Sequence, residues 1–225
     1  VIGPQTAAVT KLRAARPQAV GADRIANAVA AETFYGAPAI VVDSTIRAYQ
    51  NLARFHRLRF PVKAIALTGS SGKTSVKEML RAIFNRAYGA EHVLATEGNT
   101  NNQIGVPQNL LRLTGQHKIC ILECGTNHHG EIEPLSETIR PDAALIVSIG
   151  RCHLEYLGSL EGVAAEKSTI FRHLSPEGVA VIPLQARIRH HETGGRKSYR
   201  SLLRERSKLR HGSGLPGRKH HGKLV

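Results

Sequence analysis

Cysteine is scarce in this chain of 225 residues: Cys120, Cys124 and Cys152 are its three, and no two of them form a C-x-x-C pair. An odd, sparse set excludes a disulfide framework and a structural zinc site, and it points to reduced thiols. Long apolar runs are missing too. No stretch reaches the roughly 18 residues that a membrane helix needs, and the first residues lack the pattern of a secretory leader. The expectation is therefore a soluble cytoplasmic protein, monomeric and without a membrane partner. Acidic residues are in short supply, 17 against 31 Lys+Arg, for a formal net charge of +14. A surplus of that size ordinarily suggests a nucleic-acid partner. Its placement changes the inference, because residues 185–225 hold 12 Lys+Arg against 2 Asp+Glu, leaving 19 against 15 for residues 1–184. The body is only mildly basic, and nucleic acid is not the expected partner.

The most informative segment is Ala66-Leu67-Thr68-Gly69-Ser70-Ser71-Gly72-Lys73-Thr74-Ser75. Val62, Ala64, Ile65, Ala66 and Leu67 read as a short buried strand, and Val76, Met79, Leu80, Ile83, Phe84 and Ala87 recur at helical spacing. Between them, glycines let backbone N–H groups converge on phosphate oxygens, and the helix presents its positive end. Lys73 supplies a point charge and the Thr74 hydroxyl a ligand for Mg2+. The strict Walker pattern lacks its first glycine, since Leu67 stands there. A chance Gly-Lys-Thr turn is the alternative.

Strands and helices alternate along the rest of the body. A helix is expected over about Arg24 to Phe34, a strand at Ala39 to Val42, and a helix capped by Asp43 or Ser44 that runs toward Pro61. Further strands are expected at His92 to Thr96, Lys118 to Leu122, Ala143 to Ile149 and Val179 to Ile182. Helices are expected near Pro107 to Leu113 and Leu160 to Leu174. Such alternation implies an α/β fold, a mostly parallel sheet with helices on both faces, binding ligands beyond the carboxyl ends of its strands.

Several segments fall at those ends. The loop from Thr96 to Pro107 is dense in glycine and asparagine, with Asn99 and Asn102 as candidate nucleotide contacts and a plain solvent loop as the alternative. Glu123 closes an apolar strand, where a carboxylate can hold Mg2+ opposite the phosphate loop or pair with a nearby base. His128 and His129 follow in a loop and face solvent or substrate on this reading. Lys167 shares a helical stripe with Leu160, Val163, Ala164, Ile170, Phe171 and Leu174. It either snorkels to solvent or is buried enough that its neutral amine becomes available for covalent chemistry or ligation.

Together, Thr68 through Glu78, Gly98 through Pro107, Glu123 through Ile132, and His153-Leu154-Glu155-Tyr156-Leu157-Gly158-Ser159 through Lys167 resemble the central ATPase domain of the Mur ligase family. The likeness is strongest to its D-alanyl-D-alanine-adding branch and runs from about Ala37 to Ile182. It implies an ATP- and Mg2+-dependent amide ligase of peptidoglycan precursor synthesis, with a UDP-MurNAc-peptide and D-alanyl-D-alanine as partners. It also implies site residues. Gly69, Ser70, Ser71, Gly72, Lys73, Thr74 and Ser75 would bind the nucleotide, with Lys73 on its β/γ phosphates. Thr74 and Glu123 would serve one Mg2+, and His153 another, with Lys167 carbamylated to help hold the second ion. Lys73, His153 and Lys167 are the catalytic candidates.

The resemblance divides the chain into 1–60, a remnant of an N-terminal domain with its connecting helix; 61–184, the partial central domain; and 185–225, a basic tail outside the fold. The break after Ile182 reads as a truncation or a shift of frame. A stand-alone P-loop ATPase, or a nucleic-acid binder acting through the tail, is the competing expectation.

Overall fold

The structure is a computed structural model, and it describes residues 21–36 and 42–183. The chain divides into two compact units, Val1–Ala48 and Tyr49–Val225. Residues 39–41 of the expected first strand and the whole expected tail lie outside the described residues, and Val42 is not in a strand. In the first unit, helix α1 spans Ala22–Tyr35, within a residue or two of expectation, and buries Ile25 and Ala28. Helix α2 spans Thr45–Leu58. Ser44 caps it, its Oγ accepting from Arg47 N at 3.2 Å.

The second unit is built on five parallel strands in the order β2-β3-β1-β4-β5: β1 Lys63–Thr68, β2 Val93–Ala95, β3 Ile119–Glu123, β4 Ala143–Ile146 and β5 Val179–Val181. The parallel sheet expected from the alternation is present. Helices α3 (Lys73–Tyr88), α4 (Gly105–Leu110), α5 (Ile132–Ile139), α6 (Leu154–Leu157) and α7 (Leu160–Ser168) connect them. The expected helix to Leu174 stops at Ser168 and tightens into a 3-10 turn, Thr169–Phe171. Among the described residues no helix is long and apolar enough to cross a membrane.

Strand alternation sorts the core into two layers. Ala64, Ala66, Cys120, Leu122, Ala144 and Ile146 point to one face, with Val106 and Leu110 of α4, Ile132, Leu135 and Ile139 of α5, and Ile170 and Phe171 of the 3-10 turn. Small residues on the strands let several elements approach this face closely. The other face is bulkier, with Ile65, Leu67, Ile119 and Ile121, and it is covered by Leu80 and Phe84 of α3. Cys120 serves as a small apolar residue whose thiol burial pushes up to about 12, and burial raises Cys124 as well. Both are free.

One polar joint fixes the amino ends of the strands. Asp142 accepts from Ala64 N at 2.9 Å, Lys63 Nζ at 3.0 Å and Arg57 Nη2 at 3.3 Å. Arg57 is buried, so Asp142→Ala strands its charge. Because the carboxylate is partly solvated, the expected loss is about 2 kcal/mol, read as a lower midpoint in urea unfolding. An unchanged midpoint would count against the joint.

Candidate functional site

The chain leaves β1 through α3 on one face of the sheet and leaves β3 through α5 on the other. Neighbouring strands whose connections diverge open a crevice beyond their carboxyl ends. Leu67 pairs with Glu123 in register, so the phosphate loop and Glu123 flank that crevice.

Backbone and hydroxyl groups hold the loop in shape. Ser70 N donates to Ser148 O at 3.0 Å and Ser71 N to Ser148 Oγ at 2.9 Å, while Ser148 Oγ donates to Ser71 O at 2.8 Å. Ser70 Oγ donates to Gly150 O at 3.1 Å and accepts from Gly150 N at 2.9 Å and Cys152 Sγ at 3.1 Å. The loop after β4 is thus bolted to the loop after β1. Gly72, with φ of 77°, turns the chain into α3 in the left-handed region, and no side chain caps that helix. First-turn N–H groups of such a helix suit an anion. Lys73 Nζ curls over the loop to Gly69 O at 2.9 Å.

Glu123 is 3% exposed, and a buried carboxylate requires partners. Its Oε2 accepts from Thr74 Oγ1 at 3.2 Å and its Oε1 from Asn101 Nδ2 at 3.1 Å. The expected pair of Thr74 and Glu123 is therefore in direct contact. Two hard oxygens so placed are of the kind that Mg2+ accepts. Among the described residues no three His, Cys, Asp or Glu side chains gather into a metal cage.

Asn101 is not among the expected contacts, although it lies in the expected loop. It reaches Glu123, and its Nδ2 also donates to Asn99 Oδ1 at 3.0 Å. Asn102 directs its Oδ1 to the N–H groups of Ile104 at 3.1 Å and Gly105 at 2.9 Å, shaping the entry to α4. His153 is exposed and holds φ of 52°, an unusual conformation for a non-glycine residue, at the start of α6. It directly follows Cys152, which touches the phosphate loop. His128 and His129 are exposed, as expected for a loop pair, and the His128 ring lies 4.2 Å from that of Tyr156. Glu131 fastens their loop by accepting from Asn127 N at 2.7 Å, His128 N at 3.1 Å and Thr126 Oγ1 at 3.1 Å.

Lys167 does not snorkel. It is 2% exposed, among the largest fully buried side chains. Burial first, and then the Lys73 charge, push it below the ordinary lysine range, against the opposing pull of Cys152 and Glu166. The influence of Lys73 places Lys167 within electrostatic reach of the phosphate loop. The pH consequence follows from linkage. Above its lowered folded value and up to the usual 10.5, the unfolded chain binds the proton that the folded chain has released. Stability from this residue therefore rises with pH through that window. In bicarbonate-free buffer, Lys167→Met is expected to flatten the rise in melting temperature relative to the parent chain. Identical slopes would contradict the assignment.

The family model described as Mur ligase middle domain matches residues 67–201. The chain belongs to the Mur ligase family. Mur ligases are ATP-dependent. The match passes the expected domain end at 184. Residues 1–45 separately match the model described as Type III pantothenate kinase.

The UDP-N-acetylmuramoyl-tripeptide--D-alanyl-D-alanine ligase of Haemophilus influenzae is 47% identical over 146 residues, covering 64% of this chain and 32% of the relative. The chain thus spans about a third of the length of the curated relatives it matches. A crystal structure of MurF from Acinetobacter baumannii superposes with a TM-score of 0.64 at 39% identity, covering 76% of this chain and 35% of that one. MurF ligase from Thermotoga maritima, solved in complex with ADP, gives a TM-score of 0.61 at 28% identity, covering 75% and 36%.

Proposed function

We propose that this chain supplies the ATP-binding part of a ligase that joins D-alanyl-D-alanine to a UDP-MurNAc-tripeptide. In that reaction the γ-phosphoryl group of ATP passes to the tripeptide carboxylate, ADP departs, and the dipeptide amine displaces phosphate from the acyl phosphate to form the amide. The observation that carries the reading is the buried Glu123 carboxylate bridging Thr74 and Asn101 beside Gly72 and Lys73. The names of the relatives supply the substrates.

Lys73 would hold the β/γ phosphates, and the backbone from Gly69 to Ser75 would cradle them, with Asn99 and Asn102 at the loop opposite. Thr74 and Glu123 would hold one Mg2+, and His153 with a carbamylated Lys167 the other. Bound Mg2+ offsets the negative charge gathered between nucleotide and carboxylate. A buried, depressed amine is the form that takes up CO2, which supports that role for Lys167. In the layout we favour, residues 61–184 form the ATP-binding domain, 1–60 lead into it and 185–225 form a basic tail.

Calorimetry of the full chain with ATP, with and without Mg2+, followed by phosphate release on adding the tripeptide substrate and then the dipeptide, tests the reading. Mg2+-dependent binding is expected, with no phosphate release in the absence of the peptide substrates. Equal release without peptide substrates would replace the ligase by a stand-alone ATPase.

A further inference from the structure

Glu166 is a buried carboxylate, 4% exposed, that no role above uses. Its Oε2 accepts from Gly130 N at 2.7 Å, and its Oε1 accepts from Glu131 N at 3.0 Å and Ile132 N at 2.9 Å. His129 Nδ1 lies 3.9 Å from Oε2. These three amides belong to the entry of α5, whose own N-cap residue, Glu131, makes no side-chain cap. A carboxylate from α7 therefore does the capping from across the fold, and the positive end of α5 balances its charge.

We propose that Glu166 is a positioning residue: it locks α7, and with it Lys167, to the loop that leaves Glu123. This rests on the metal-site reading above. Glu123 and Lys167 come from segments with no backbone pairing between them. Ser136 Oγ to Ile170 O at 2.6 Å and the Arg172 to Glu133 ion pair join α5 to the 3-10 turn farther along. Glu166 fastens α7 itself, one residue from Lys167. A slip of α7 by one residue is about 1.5 Å, and metal ligands must sit within about 0.2 Å of their distances. Hydrogen bonds to charged acceptors in three directions suppress such a slip.

The test uses the full chain in bicarbonate buffer with a non-hydrolysable ATP analogue and Mn2+, followed by electron paramagnetic resonance. Glu166→Ala is compared with Val163→Ala, a packing change on the same helix, and with Glu166→Gln, which keeps one acceptor oxygen. Val163 is fully buried. Glu166→Ala is expected to raise the half-saturating Mn2+ concentration about tenfold, with analogue affinity at saturating metal kept within about twofold. Glu166→Gln falls between it and the parent, and carries the comparison if the alanine variant does not fold. Val163→Ala, even with a comparable drop in melting temperature, leaves the metal titration within about twofold. Equal metal titrations for the Glu166 and Val163 variants, with the parent binding normally, overturn the positioning role alone. A parent chain that binds no nucleotide with metal overturns the site reading and the positioning role together.

Discussion

Lys73→Ala lowers the affinity of the full chain for Mg2+-ATP by about tenfold to a hundredfold, the worth of a hydrogen bond to a charged group. Lys73 opens α3, directly after the left-handed Gly72, and its ammonium already arches back over the loop to Gly69 O. A short swing from that carbonyl would bring it onto a phosphate seated among the loop amides. Its present hydrogen bond is local, and alanine is a good helix former, so the melting temperature of the unliganded protein stays close to that of the parent. Calorimetric titration beside a thermal melt separates the two effects. Equal ATP affinity in variant and parent would remove the phosphate loop from the site.

Gly162→Ala is expected to destabilise the fold by about 3 kcal/mol, the upper range for overpacking. A Cβ at Gly162 would lie 1.9 Å from the carbonyl oxygen of Leu157, a backbone atom that cannot turn aside. The chain is tightly folded here. Helix α6 ends at Leu157, Gly158 takes φ of 74°, and Ser159 Oγ caps α7 by accepting from Gly162 N at 3.1 Å. To admit the methyl group, α7 must move away from α6 and carry Glu166 and Lys167 with it. A drop in melting temperature of about 6–12 °C is expected from the size of the unit. Gly115 provides the control, because a Cβ there would meet nothing within 4 Å, and Gly115→Ala should melt with the parent. A Gly162→Ala melt indistinguishable from that control would refute the close packing of the two helices.

Much of the fold can be read along the chain because its signals are local. Strands β1 and β3 are continuous apolar runs, and α3 shows its spacing plainly. Helix α5 escapes such a reading, although Ile132, Leu135 and Ile139 lie at helical spacing and are fully buried. Its eight residues are short for a periodic signal, and they begin in a glycine and histidine loop that reads as irregular. Helix α4 starts at Gly105, two residues before its expected start at Pro107, because Asn102 caps the turn from outside the apolar pattern. Strand β4 ends at Ile146, three residues before the expected end, where the chain departs to meet the phosphate loop through Ser148 and Gly150.

The sequence by itself determined the strand-turn-helix around Gly69 through Ser75, since these residues are contiguous and their backbone preferences act on neighbours a few residues apart. It also determined the alternation of strands and helices, because periodicity reports which side of an element is apolar. Periodicity does not report what that side meets. The strand order, the seating of Glu123 against Thr74 across 49 residues of chain, the burial of Lys167 and the reach of Glu166 to the start of α5 were decided by tertiary structure alone. Each is a contact between distant segments, fixed by strand register and by the obligation of a buried charge to find partners.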